Sequence, residues 1–537
     1  MPAKKSGSVK EGFFSGVLVL SVSTVIVKVI GLAYKIPMLS FLGAEGMGYF
    51  NSAYEIYAIL CVISTAGLPV ALSMLVSSYR EAREYGKAKS VYRSALAVFL
   101  IFGVLGTLAL VTLAPTISAS IDNANAVYCI VAISPSVLLV CISSAIRGYF
   151  QGESNMVPTA VSQLIESLGK LIFGIAFAYY GVKRGYSVPI VASFAVLGLS
   201  LGMFISTVYL VAKKLLHNTQ IVNVEKSVQK GAYGALLKIA LPITLSSTVL
   251  SITRLVDMSL IIKRLQSIGY SPGLANEIYG AYSTIALPIF SLLPALITPI
   301  SLSLIPVLSA AIERKASDEQ TDVLESAMRM TMIFCIPSSF AIILYSSPII
   351  SLLFGEAGES IGYIAPVLSM LAASIPFACI ITTTNAVLQA YRKTFVPIVS
   401  MAIGALIKIV LAYLLIAVPE VGVYGAPIST FACDAVITVI NITQIYKLTG
   451  KRIGVMRVYI KPVLSSAMAM LISLIAYISM IPITKSERFA FLFSIPVAVT
   501  VYFITAFLTK TVTDDDIKMI PFLSKIRKRT KSDVSRS

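Results

Sequence analysis

The chain has 537 residues, 57% of them apolar and only 13% charged, with a mean hydropathy of +0.87. That balance excludes a soluble globular protein, because only lipid accommodates so much apolar surface. A net charge of +18 would suggest a nucleic-acid partner in a soluble chain, but Lys and Arg fall mainly in alternate loops, which points to membrane topology and to no nucleic acid.

Apolar runs of about 20 residues recur along the chain, and each can cross roughly 30 Å of hydrocarbon as a helix. A short polar N-terminus, 1–12, precedes the first run, which is too long for a signal-peptide core and lacks a small-residue cleavage site, so it is expected to stay attached as the first helix. Six spans follow over 13–212, at 13–35, 54–77, 92–115, 126–149, 157–181 and 188–212. A polar linker, 213–232, leads to six more over 233–446, at 233–262, 281–310, 328–354, 361–386, 396–418 and 422–446. A last pair, 460–482 and 488–510, precedes a basic tail, 511–537. The fold class is therefore all-α integral membrane protein with about fourteen transmembrane helices, edges good to roughly four residues.

Cations set the orientation. Lys4, Lys5, Lys10, Arg80, Arg83, Lys87, Lys89, the segment from Lys213 to Lys238, Arg314, Lys315, Arg392, Lys393, the loop from Lys447 to Arg457 and the tail cations Lys525 to Arg529 share one side. The other side holds Lys183, Arg184, Lys263, Arg264, Lys485 and Arg488. The positive-inside rule then puts both termini in the cytoplasm.

The second and eighth spans share a pattern, Pro69-Val70-Ala71-Leu72-Ser73 and Pro299-Ile300-Ser301-Leu302-Ser303. Phe150-Gln151-Gly152, Val157-Pro158 and Lys170-Leu171-Ile172 recur as Leu388-Gln389-Ala390, Val396-Pro397 and Lys408-Ile409-Val410, with a one-residue shift at the Val-Pro pair. Two six-helix parallel repeats plus a C-terminal helix pair follow, with a substrate cavity expected between the repeats near the midplane. The competing explanation is chance similarity of apolar sequence.

A charge at the centre of a membrane helix costs about 2.5–3.5 kcal/mol on insertion scales, so such residues mark pathways or pairs. Lys28, Lys35, Lys170, Arg254 and Lys408 are the candidates for binding an anion. Lys28 and Lys35 stand two turns apart on one helix face, although Lys35 is placed where it can snorkel to headgroups. Glu166 precedes Lys170 by four residues and Asp257 follows Arg254 by three, so ordinary intrahelical ion pairs compete with a substrate role. Arginine can hold a phosphate in bidentate fashion while sharing its other donors with Asp257. Lys408 and Asp434 lack a local mate and are candidates to pair with each other. Glu55 opens the second span as a further candidate acid. Arg147, at the end of the fourth span, either greets a phosphate or anchors the interface beside Tyr149.

Other chemistry is poorly supported. Cys61, Cys129, Cys141, Cys335, Cys379 and Cys433 lie in or beside apolar runs without a CxxC pair, and His217 is the only histidine, so no metal site and no cofactor is expected. Gly198-Leu199-Ser200-Leu201-Gly202 matches GxSxG but lies inside an apolar span without a strand-to-helix turn, which reads as helix packing. No enzyme constellation is found. Pro288, Pro294, Pro299 and Pro306 should bend the eighth span, which suits gating and is also simply common in membrane helices.

Lys28 to Pro37, Leu42-Gly43-Ala44-Glu45-Gly46-Met47-Gly48, Ser64-Thr65-Ala66-Gly67-Leu68-Pro69-Val70-Ala71 and Arg147-Gly148-Tyr149-Phe150-Gln151-Gly152 resemble the stage V sporulation protein B and MurJ-like branch of the multidrug/oligosaccharidyl-lipid/polysaccharide flippase superfamily. The resemblance implies a two-lobed flippase in the bacterial cytoplasmic membrane. Its implied cargo is a polyprenyl-pyrophosphate-linked oligosaccharide such as lipid II, moved by alternating access, with membrane lipids and cell-wall synthesis proteins as partner classes. It implies a cationic cavity lined from the first, second and eighth helices, and a lipid-tail groove on the last two. Lys28 looks like one of the first-helix cations. The second such position holds Tyr34 with Lys35 adjacent, and neither Glu55 to Val62 nor the region of Ser283 supplies a cation, which leaves Arg254 to substitute from the seventh helix. Two other readings stay open: a cation-coupled drug exporter, which needs a cavity acid such as Glu55, Glu166, Asp257 or Asp434, and a membrane scaffold for wall or spore-coat synthesis acting through the basic tail.

Overall fold

The computed structural model describes residues 6–65, 67–217, 232–355, 362–451, 454–509 and 511. Most of the linker (218–231) and of the basic tail (512–537) lies outside them, so the expectations placed there are not addressed. No strand occurs among the described residues. In hydrocarbon every backbone polar group must be paired within the protein, and helices achieve this with local bonds alone.

Among the described residues eleven helical segments are long and apolar enough to cross a membrane, or twelve if a helix pair bent by 40° counts as one span. The protein is thus a multi-pass membrane protein. The Val22–Arg80 segment, at 59 residues, is far longer than the roughly 20 residues one crossing takes. It comprises most of α1 (Ser6–Thr65) and α2 (Gly67–Glu81). The sequence reading left residues 36–53 as a connection between two spans, but the chain stays helical there and breaks only at Gly43, whose φ of 65° and ψ of 178° lie outside helical space. Met38, Leu39, Leu42, Met47 and Phe50 are buried on either side, and that apolar burial outweighs Pro37 and the glycines as punctuation.

Next in chain order come α3 (Tyr85–Ser120), α4 (Val127–Ile133), α5 (Pro135–Gly152), α6 (Val157–Lys183), α7 (Val188–Leu216), α8 (Ala232–Ser267) and α9 (Pro272–Ala281). Pro135, Pro158 and Pro189 sit in first turns, where a missing N–H costs nothing. Ser271 caps α9 by accepting from the Leu274 N–H at 3.2 Å. A five-residue π turn, Tyr282–Ala286, joins α9 to α10 (Leu287–Glu313). Then follow α11 (Ser317–Phe354), the bent pair α12 (Ile364–Ala372) and α13 (Ile375–Ala390), α14 (Phe395–Leu415), α15 (Gly425–Thr449), and the final pair α16 (Lys461–Thr484) and α17 (Glu487–Leu508).

The chain forms two compact units. Unit 1 is Met1–Pro288 with Ala412–Ala426, and one of its buried clusters includes Leu72, Val91, Phe99, Cys141, Phe150 and Leu210. Glycines bring α6 and α7 into backbone contact: a methyl on Gly198 would lie 2.3 Å from the Gly174 nitrogen, and one on Gly202 2.6 Å from the Lys170 nitrogen. The GxSxG stretch is therefore a packing face, as its sequence context indicated. Unit 2 is Ile289–Leu411 with Pro427–Ser537, built around Leu308, Met328, Met332, Cys335, Ile375 and Val387. Within it the Tyr502 hydroxyl of α17 donates to the Ile333 carbonyl of α11 at 2.7 Å.

The internal repeat carries into polar contacts. In unit 1, Arg147 of α5 donates to Ser162 of α6 at 2.9 Å, and Ser206 of α7 donates to the Ser162 carbonyl at 2.7 Å. The register that matches Lys170 with Lys408 matches Arg147 with Asn385 and Ser162 with Ser400. In unit 2, Ser400 of α14 donates to Asn441 of α15 at 2.8 Å, and Asn441 donates to Asn385 of α13 at 2.9 Å. Each unit thus ties three consecutive spans through one polar knot.

Candidate functional site

Unit 1 gathers four of the five candidate cations, Lys28, Lys35, Lys170 and Arg254. Lys28 of α1 and Arg254 of α8 are both exposed and lie within Coulombic range of each other. Lys35 is within range of Lys28 and Lys170. Glu55, inside α1, faces Arg254 and Lys35, with Asp257 also in range. Three elements, α1, α6 and α8, therefore bring their charges to one place. Among the described residues neither Lys28 nor Arg254 makes a salt bridge.

Lys35 does not run out to the headgroups. Its Nζ donates to the Ser283 carbonyl at 2.7 Å, within the π turn. A π turn widens the helix and disturbs the usual i to i+4 pairing, a local irregularity often found at functional sites. Asn51 of α1 fixes the same turn by donating to the Thr284 hydroxyl at 2.8 Å.

Lys170 has a different partner from the expected one. Its Nζ stands 4.8 Å from the ring centre of Tyr34, 5.1 Å from that of Tyr54 and 5.7 Å from that of Phe50. Glu166, one turn before it, instead accepts from Arg147 at 3.0 Å. Arg147 also reaches Ser162 at 2.9 Å and Ser206 at 3.5 Å. Arg147, Gln163, Glu166 and Ser167, with Thr24 and Val27 of α1, line a cavity of about 170 Å³.

In unit 2, Lys408 of α14 and Asp434 of α15 lie within Coulombic range of each other, the cross-helix arrangement their lack of local mates suggested. Positions matched by the repeat differ in that Lys170 sits among aromatic rings.

Sequence reasoning missed the aromatic cradle and the Ser283 carbonyl. Phe50 and Tyr54, four residues apart, were a readable sign of a shared face, but nothing local tied Tyr34 or Lys170 to it. It also missed a charged knot at the ends of α2, α5 and α7, where the buried Glu153 carboxylate takes Arg80 on one oxygen and His217 on the other, the latter at 2.9 Å. Beside it Lys214 lies 3.1 Å from the Tyr149 ring centre. There one carboxylate serves Arg80, His217 and the nearby Lys214; in the central cluster Lys28, Lys35, Lys170 and Arg254 have Glu55, Asp257 and Glu166 in range, and Glu166 is shared with Arg147. Among the described residues no group of three His, Cys, Asp or Glu side chains could hold a metal ion.

Comparison with known proteins identifies relatives of the chain. The polysaccharide biosynthesis protein family matches residues 13–312, and the MatE family matches residues 280–414. Stage V sporulation protein B of Bacillus subtilis (strain 168) is 24% identical over 96% of this chain and 99% of its own length. Lipid II flippase MurJ of the same organism is 25% identical over 74% of this chain and 76% of its own. Among solved structures, lipid II flippase MurJ in an inward closed conformation superposes with a TM-score of 0.67 at 19% identity, covering 91% of this chain and 98% of that one.

Proposed function

The chain belongs to the polysaccharide biosynthesis protein family, and on that premise we propose that it flips a polyprenyl-pyrophosphate-linked oligosaccharide across the cytoplasmic membrane. Its relatives are a flippase and a sporulation protein rather than enzymes, and the coarser role, a membrane transporter of the flippase kind, follows from that kinship. Lipid II or a related polysaccharide unit is the proposed cargo.

The observation that carries the reading is the excess of cations in unit 1. Gathering Lys28, Lys35, Lys170 and Arg254 in a membrane protein with fewer carboxylates in range is costly unless an anion completes the set. A diphosphate supplies that charge, and its oxygens accept from ammonium and guanidinium donors in short charge-assisted bonds. Arg147, in its polar cavity, is the proposed first contact for the arriving headgroup. Residues 13–212 and 233–446 are the proposed rocking bodies, 460–510 the groove for the lipid tail, and both termini are assigned to the cytoplasm. Cation-coupled drug export, which the MatE match keeps in view, fits less well, since a cationic drug would meet like charge.

The test is complementation in cells depleted of their lipid II flippase. The wild-type chain should restore growth, and the Lys28→Ala/Arg254→Ala variant should fail at unchanged protein level. Growth on the double variant would remove these residues from the transport site, and failure of the wild type would shift the cargo to another polyprenyl-linked polysaccharide unit.

A further inference from the structure

The aromatic cradle around Lys170 does more than hold a lysine. Tyr34 and Phe50 are buried, whereas Tyr54 is 37% exposed. Tyr34 is locked in place, since a methyl on Gly174 would lie 2.8 Å from its ring and hydroxyl. Phe50 lies parallel to Tyr54, with centroids 6.5 Å apart and planes inclined by 8°. Tyr57 meets Tyr54 at 6.0 Å in a tilted contact. Tyr54 is therefore a ring braced from behind by two others and presented at the edge of the cluster. Arg254 of α8, Glu55 of α1 and Glu166 of α6 lie within Coulombic range of it.

The packing has an electrostatic consequence. Rings attract a cation through their quadrupoles and contribute no net charge. The rings hold Lys170 without neutralising it, and Glu166 one turn away, though within Coulombic range, is hydrogen-bonded to Arg147.

We propose that Tyr54 forms a sugar subsite beside Lys170: with the diphosphate of a polyprenyl-linked glycan held by Lys170, the first sugar lays its C–H face on the Tyr54 ring. This rests on the transport reading above and adds which part of the cargo is recognised. A diphosphate oxygen bonded to Lys170 lies about 2.8 Å from its nitrogen, and Lys170 is 5.1 Å from the Tyr54 ring centre. The next group along the cargo is then within a sugar ring's width of the aromatic face. A pyranose offers axial C–H groups on one face, and an aromatic ring in an otherwise polar pocket matches that face while hydroxyls seek the charged neighbours.

The experiment uses the full chain in lipid nanodiscs and two probes, undecaprenyl diphosphate and undecaprenyl diphosphate bearing one N-acetylhexosamine. Tyr54→Leu should weaken binding of the sugar-bearing lipid by roughly tenfold and leave the bare diphosphate within about twofold, while Tyr54→Phe, which keeps the ring, binds both like the wild type. Lys170→Met should weaken both probes alike. Thermal unfolding of each variant separates misfolding from lost recognition, and Tyr54→Phe supplies a variant with minimal packing change. A wild-type chain that binds both probes, with Tyr54→Leu weakening them equally or not at all, overturns the sugar subsite alone. A wild-type chain that binds neither probe overturns the transport reading and the subsite with it.

Discussion

Replacing Arg147 with Met tests whether the polar cavity of unit 1 is held by its ion pair. The Arg147 and Glu166 side chains are 12% and 31% exposed, and their atoms meet at 3.0 Å. At an effective dielectric of about 20, two unit charges at that distance attract by ~5 kcal/mol, and desolvation offsets much of it. Arg147 also donates to Ser162 and Ser206, which keep their own bonds to the Thr159 and Ser162 carbonyls, so Arg147→Met chiefly strands the Glu166 carboxylate, with an expected cost of about 2–3 kcal/mol. Glu166→Gln keeps an acceptor for the guanidinium and should cost about 1 kcal/mol. Arg147→Met/Glu166→Met should be less destabilised than the sum of its parts by about 1–3 kcal/mol. Apparent unfolding midpoints of the full chain in one detergent give the ranking. Strict additivity, or Glu166→Gln falling below Arg147→Met, would refute the argument.

Gly198→Leu should prevent accumulation of folded protein, because its side chain meets the Gly174 backbone at 2.3 Å and backbones must separate at a cost of several kcal/mol; Gly86→Ala, with open space around it, should be neutral, and detergent-extracted yield compares them. Lys35→Met keeps the apolar stem but removes the bond to the Ser283 carbonyl, at about 1–2 kcal/mol, and should speed amide hydrogen exchange in the π turn at 282–286. Lys408→Met and Asp434→Asn should each destabilise unit 2 more than the double variant does, since each single change strands a charge in the membrane; thermal unfolding of the three reports it.

How much of this was legible from the sequence depended on how local each signal is. Span positions follow from apolar length, and the embedded cations stand out because each is a local exception to it. The helix through 36–53 was misread because Pro37 and Gly43 resemble loop punctuation when the burial of Met38, Leu39 and Met47 is out of view. Glu166 illustrates the limit of spacing rules. Four residues from Lys170, it satisfies the ion-pair pattern, but Arg147 approaches from another helix and takes it. The cradle of Tyr34, Phe50 and Tyr54 depends on α1 continuing past its break and on Gly174 admitting a ring, neither of which is a property of the residues it joins. The carbonyl that receives Lys35 belongs to a backbone distortion that no residue type announces.

The glycine contacts between α6 and α7 bear on motion. Where Gly174 meets Gly198 and Gly169 meets Gly202, there are no side chains to change rotamer, and ridge-over-groove sliding has no intermediate seats. The two helices form a stiff plate that carries Lys170 on one of its edges. Displacement in unit 1 must then be absorbed at joints, and the chain offers them at the Gly43 break in α1 and in the π turn before α10. Gly43 lies about two turns along α1 from Lys35, and the π turn contains the carbonyl that Lys35 bonds, so movement at either joint would load that bond.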